Sequence, residues 1–165
     1  MKIEMDSINY INKILLPYLE NEHVQMMRTY VQHGKITTFQ HSTNVVMVSY
    51  TMAIFFNFKI DLTSLLIGAL LHDFYLYDWH EGRIRPEGVH GFSHAKVAKN
   101  NAHKYFKLGQ KELNIIEAHM FPLTLFKMPK SKEAIIVSIA DKYCAIKETL
   151  GVGKINNEFA FCTVK

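Results

Sequence analysis

The sequence predicts an all-α fold on three observations. Apolar residues recur at spacings of three, four and seven along most of the chain, which gathers them on one face of a 3.6-residue helix. Runs of alternating apolar and polar residues, the mark of half-buried strands, are scarce. Thr37, Thr38, Asp61, Ser93 and Ser131 each stand just ahead of an apolar-periodic stretch, where a short oxygen-bearing side chain caps a helix.

Taken in order, a first helix is expected over residues 7–20, with Pro17 kinking or ending it. A short second helix is expected over 22–31, before the break at Gly34. The third starts at Thr37 or Thr38 and runs to about 56, and a fourth runs from the Asp61 cap through Leu71. Residues 74–92 hold Gly82, Pro86, Gly88 and Gly91 among several charges. They form the longest loop of the chain, and loops of this length in compact domains often carry function. Ser93 is expected to cap a helix to about 107, and Gly109 separates it from one over 110–120. Pro122 and Pro129 bracket a turn, after which Ser131 caps a long last helix to about 150. The tail beyond Gly151 carries little pattern.

The 165 residues suit one domain, and 48% hydrophobic residues suffice for a sizeable core. No repeat, low-complexity segment or linker divides the chain, so residues 1–165 read as a single helical domain with a core over about 37–150. The formal charge of +4 suits a small anionic ligand. Its lysines form no dense basic block, which argues against polymeric nucleic acid. Two cysteines, Cys144 and Cys162, are too few for a disulfide framework and read as free thiols. The N-terminus lacks a long apolar run, and no apolar stretch reaches the ~20 residues of a membrane span. A cytoplasmic protein without membrane attachment is expected.

Within this pattern the polar residues are misplaced in a systematic way. In "LLHDFYLYDW", residues 70–79, His72 and Asp73 extend the buried face of Leu65, Leu66 and Ala69. His41 shares a stripe with Val45, Val48 and Met52, and His94 with Val97, Ala98 and Ala102. His119 follows Ile115 and Ile116, and Asp141 shares a face with Ala134, Val137 and Cys144. A single inward histidine is ordinarily a satisfied core residue. A buried carboxylate without a partner costs several kcal/mol, yet no lysine or arginine lies on these stripes. Six inward imidazoles and carboxylates together call for a divalent metal, with iron, manganese, nickel, cobalt and zinc all suited to such donors.

The ordered set His41, His72-Asp73, His94, His119, Asp141 resembles the HD-domain metal-dependent phosphohydrolases. "SIADKY", residues 138–143, is similar to the closing Asp motif of that family, and "HAKVAKNNA", from His94, to the helix of its two-metal members. The likeness spans about 37–150. It implies an HD-like helical bundle with the metal site in its core. By this resemblance His41, His72, Asp73 and Asp141 bind one ion. In two-metal members Asp73 bridges, and His94 and His119 hold the second. His90, in "VHGFSHA", is an alternative to His94, whose helix carries the matching small residues.

The implied reaction is hydrolysis of a phosphate ester or anhydride of a nucleotide or dinucleotide by a metal-activated water. Asp73 and Lys142, next to the last ligand, are the candidate catalytic residues. Arg83 and Arg85 in the long loop, His90 and Trp79 are the candidate substrate contacts; arginine matches phosphate geometry, and an aromatic ring either stacks on a base or packs the loop. The set looks most like the standalone hydrolases of symmetrical dinucleoside tetraphosphates, and the Gly-Tyr-Pro motif of the cyclic-dinucleotide branch is absent from the sequence. A di-iron oxygenase of the same fold and a non-catalytic metal-binding regulatory module are the competing readings. A second copy of the chain is a candidate partner, from Phe159 and Phe161 in the tail.

Overall fold

The computed structural model describes residues 5–81 and 88–151. They form seven helices and one small hairpin: α1 (Met5–Leu19), α2 (Glu22–Met26), β1 (Val31–His33), β2 (Ile36–Thr37), α3 (Thr38–Phe55), α4 (Leu62–Leu71), α5 (His90–Tyr105), α6 (Gln110–Ala118) and α7 (Lys132–Thr149). The all-α expectation holds apart from this hairpin. None of these helices is long and apolar enough to cross a membrane.

The middle of the bundle is α4. Leu65, Leu66, Ile67, Ala69, Leu70 and Leu71 are all buried, so this helix is apolar all round and must be covered on every side. Helices α3, α6, α7 and α1 pack around it, and α5 lies against α6. Gly68 sets how closely α6 approaches. A Cβ built there would lie 2.5 Å from Ile115 Cγ2, so only hydrogen fits. Because α4 is short and encased, the residues at its C-terminal end emerge into the middle of the protein.

The local signals act much as physical chemistry requires. Thr37 caps α3 by accepting from the Gln40 amide, and Gln40 returns a bond to the Thr37 N–H, a reciprocal capping box. Asp61 caps α4 through the Ser64 amide, and Ser131 caps α7 through the Ala134 amide. Pro17 lies inside α1, two residues before its end, without ending it.

Two expectations need correction. The second helix stops at Met26, and the chain then forms the antiparallel β1–β2 hairpin, which turns at Gly34 with φ of 58°. A β-carbon would strain that left-handed turn. Second, α5 begins at His90 rather than at Ser93. Ser93 lies inside the helix, where its hydroxyl donates back to the Val89 carbonyl at 3.0 Å. That bond is the alternative to capping for a serine within a helix.

Candidate metal centre

Each inward polar residue occupies a defined point of this frame. His41 lies in the first turn of α3. His72 is the C-terminal cap residue of α4 and Asp73 follows it. His94 is on α5, His119 caps the end of α6, and Asp141 is in the middle of α7. All six are buried, none more than 8% exposed. The five helices bring these side chains together at the end of α4.

Asp73 is at the middle. Its Oδ2 lies 3.3 Å from His72 Nε2 and 3.8 Å from His41 Nε2. Its Oδ1 lies 3.3 Å from His94 Nε2 and 3.5 Å from His119 Nε2. Asp141 Oδ1 joins the first side, 3.1 Å from His41 Nε2 and 3.7 Å from His72 Nε2. The carboxylate of Asp73 therefore shows one oxygen to each of two pairs of histidines.

The outer ring nitrogens fix the tautomers. His72 Nδ1 donates to the Ala69 carbonyl at 2.8 Å, His94 Nδ1 to the His90 carbonyl at 2.7 Å and His119 Nδ1 to the Ile116 carbonyl at 2.8 Å. His41 Nδ1 donates to Glu148 Oε2 at 2.8 Å. A carbonyl or carboxylate only accepts, so all four Nδ1 atoms carry the proton. In the neutral ring Nε2 then offers its lone pair inward, which is the form that binds metal.

The inward atoms are left short of partners. His72 Nε2 and Asp73 Oδ1 are buried without a hydrogen bond, a cost of about 1–3 kcal/mol each in a purely structural core. His94 and His119 bring their Nε2 atoms within 2.9 Å of each other. Two subsets, His41–His72–Asp141 and His72–Asp73–His119, have one donor atom from each residue within 4.8 Å of one another. Nitrogen and carboxylate oxygen donors at such separations fit divalent first-row cations.

Charge within the cluster is partitioned unevenly. Burial opposes charge on Asp73, but the neighbouring His72 charge holds its carboxyl well below the usual range. Asp141 is also held low, against burial, by its bond to His41 and by His72 close by. Burial disfavours the charged form of His41, yet the bonds to Asp141 and Glu148 push it up to about 9. His72 rises to about 10, its desolvation outweighed by Asp73 and Asp141. Burial and the His72 charge lower His119 to about 3. Without a cation, protons on His41 and His72 thus balance much of the carboxylate charge.

The remaining candidates fall around this centre. It is His94, not His90, whose Nε2 faces Asp73. His90 stacks on the outer face of the His94 ring, centroids 4.5 Å apart, with its Nδ1 3.0 Å from the Tyr77 hydroxyl. Trp79 stacks on His90 at 5.1 Å and 11°, and its other neighbour is His80 at 3.9 Å. With two ring partners and a bond from its Nε1 to the Val31 carbonyl at 3.1 Å, Trp79 packs the loop down. Lys142 does not point its Nζ at the cluster. It donates to the carbonyls of His119 at 2.8 Å and Ser138 at 3.1 Å, with Asp141 Oδ2 4.0 Å away. Arg83 and Arg85 lie outside the described residues, as do Cys162, Phe159 and Phe161.

Several contributors were not singled out as site residues from the sequence. Gln32, buried on β1, donates from Nε2 to Asp73 Oδ2 at 2.7 Å. Its carbonyl accepts from the Tyr75 hydroxyl, which Thr38 Oγ1 meets at 3.0 Å. Glu148 supports His41 and is itself bound by Asn44 Nδ2 at 2.7 Å. Glu148 follows Asp141 by seven residues, so the same spacing test that found Asp141 places it on that face. Gln32 had no such signal, because it falls just past the helix expected over 22–31, in a segment with no periodic pattern.

Comparison with known proteins adds one finding. The family model described as HD domain matches residues 38–146. No curated protein and no solved structure matches the chain.

Proposed function

The chain belongs to the HD domain family, and from that premise we propose that it is a metal-dependent phosphohydrolase acting on a phosphate ester or anhydride of a nucleotide or dinucleotide. His41, His72, Asp73 and Asp141 would hold one divalent cation, and Asp73, His94 and His119 a second. One observation carries this reading: the two oxygens of Asp73 face different histidine pairs, Oδ2 toward His41 and His72, Oδ1 toward His94 and His119.

When bound, such a cation pair lowers the pKa of a water toward neutrality and binds a phosphoryl oxygen. The chain's own residues prepare the centre for that chemistry. The Nδ1 bonds hold each imidazole in the tautomer whose Nε2 lone pair faces inward. Gln32 fixes the plane of the Asp73 carboxylate. Lys142 anchors the His119 carbonyl to α7, so the end of α6 cannot drift from Asp141. Its ammonium, 4.0 Å from Asp141 Oδ2, adds positive charge beside the centre, which favours an anionic ligand.

Loading also reverses the sign of the centre. Three ionised carboxylates, Asp73, Asp141 and Glu148, stand against two protonated histidines in the cation-free protein. With two divalent cations in place of those protons, positive charge exceeds negative, which favours a phosphate-bearing ligand. The test is release of inorganic phosphate or mononucleotide from a panel of nucleotides and dinucleotides by protein reconstituted with manganese, cobalt, iron, nickel or zinc. Oxygen uptake by the iron form is measured alongside. Metal-dependent product release without oxygen uptake supports the proposal. Oxygen uptake without phosphate chemistry overturns it.

A further inference from the structure

Among the four imidazoles that face the centre, His41 is supported differently from the rest. The acceptors behind His72, His94 and His119 are backbone carbonyls three or four residues earlier in the chain. Any helix supplies such a carbonyl without a particular side chain. Behind His41 stands a carboxylate from the far end of the sequence, Glu148 on the last turn of α7, its Oε2 2.8 Å from Nδ1.

Glu148 is built into place. Its side chain is only 5% exposed. Its second oxygen accepts from Asn44 Nδ2 at 2.7 Å, and Asn44 sits three residues after His41 on the same face of α3. The histidine and the amide that aligns its carboxylate thus come from one helical turn, and the carboxylate bridges them from α7. His33 of β1 meets the His41 ring edge-on at 5.4 Å, which closes the site on the hairpin side. Glu148 lies beyond residues 38–146, the span matched by the family model.

We propose that Glu148 is a positioning residue that makes the His41–His72–Asp141 half of the centre the tighter of two cation sites. A carboxylate draws the Nδ1 proton more strongly than a neutral carbonyl does. Electron density shifts through the ring to Nε2, which becomes the more basic donor, and the ring is held at a fixed angle. The His94–His119 half has only carbonyl support, so it takes up its cation second and loses it first. The inference rests on the reading of the cluster as a metal centre and adds an order of loading to it.

The test is titration of the full, metal-stripped chain with Co²⁺ alone, followed by its visible absorption and by competition with a chromophoric chelator. Wild type, Glu148→Gln, Asn44→Ala and His94→Ala are compared, each first checked for a cooperative thermal transition. Wild type is expected to bind in two steps. His94→Ala should lose the weaker step and keep the tighter one. Glu148→Gln retains shape and hydrogen bonding without charge, and should weaken the tighter step by about 10–100-fold while the weaker step stays in place. Asn44→Ala should move the same step in the same direction by less. Unaltered tight binding in Glu148→Gln overturns the inference and leaves the metal-centre reading standing. If Glu148→Gln does not fold, unaltered tight binding in Asn44→Ala overturns it instead. A wild-type chain that binds no Co²⁺ overturns both.

Discussion

His94 and His119 meet nitrogen to nitrogen, with Nε2 atoms 2.9 Å apart, while each has its Nδ1 proton committed to a carbonyl of its own segment. In their neutral forms two lone pairs would face one another at hydrogen-bonding distance. Such an arrangement is stable only if a proton or a metal ion sits between or beside them. His119 resists the proton, since burial lowers its pKa to about 3. A cation between the two lone pairs would relieve this contact, and the surrounding carboxylates, Asp73 above all, can neutralise it.

Removing one of these donors should take one cation away. His94→Ala is expected to retain about one metal per chain and to lose phosphohydrolase activity by on the order of a hundredfold or more. His90→Ala removes a ring stacked outside His94, so it should keep the full metal content. Elemental analysis of the two variants side by side checks this. Equal metal loss in both would show that His90 is also a donor.

Asp73→Asn should be more severe, because one carboxylate serves both halves of the centre. Its amide nitrogen would present hydrogens where a cation needs a carboxylate oxygen, and the negative charge would be lost. Activity should fall by roughly a thousandfold or more, with both metal-binding steps weakened. Gln32→Leu is the milder companion. It removes the bond to Asp73 Oδ2 and leaves the Tyr75 hydroxyl with Thr38 in place of Gln32, at a cost of about 1–3 kcal/mol in stability, read from denaturant unfolding.

Metal affinity should rise with pH. His41 and His72 hold protons up to about 9 and 10 in the cation-free protein, and a cation must displace them. Affinity should therefore increase by up to about a hundredfold per pH unit between pH 7 and 9, where two protons leave, and level off above about 10. Calorimetric titration in buffers of different ionisation enthalpy counts the protons released. The same shifts predict a stability profile. A histidine in the unfolded chain titrates near 6.5. The stabilisation from protonated His41 and His72 is then full below about pH 6.5 and disappears as pH rises through 9 to 10. His119 has the opposite sign: its lowered pKa makes the folded state lose stability as pH falls below about 6.5. A pH-independent metal affinity would contradict the assignment.

The close approach of α4 and α6 can be tested away from the centre. Gly68→Ala puts a methyl 2.5 Å from Ile115 Cγ2. Overpacking of this kind costs about 1–3 kcal/mol, against a gain of about 1 kcal/mol in helix propensity. The net result should be a lower Tm, and Ile115→Ala combined with Gly68→Ala should be less destabilised than the sum of the two single changes. An additive result would mean that the two helices are not in the contact described.

The helices and the inward set were legible because both depend on local, periodic signals. Asp61, Ser131 and Thr37 act as caps in the structure as their positions suggest, and the stripes through Leu65 and Val137 carried the buried ligands with them. The hairpin was not legible. Its strands, Val31–His33 and Ile36–Thr37, span only three and two residues, too few for an alternating pattern to stand out against the helical one before it. Gln32 was lost with it. The place of Lys142 could not be read either, because a side chain that long can turn to any of several partners, and here it turns to the His119 carbonyl. Which of His90 and His94 faces Asp73 depends on where α5 begins, and Val89 at its start has no capping side chain to announce it.

The most direct test of the central claim is the number of metal ions per chain, measured by elemental analysis on protein purified without chelator or oxygen and again after reconstitution. About two equivalents are expected, one on each side of the Asp73 carboxylate. One equivalent would contradict the shared-carboxylate centre, and none after reconstitution would contradict the metal centre altogether.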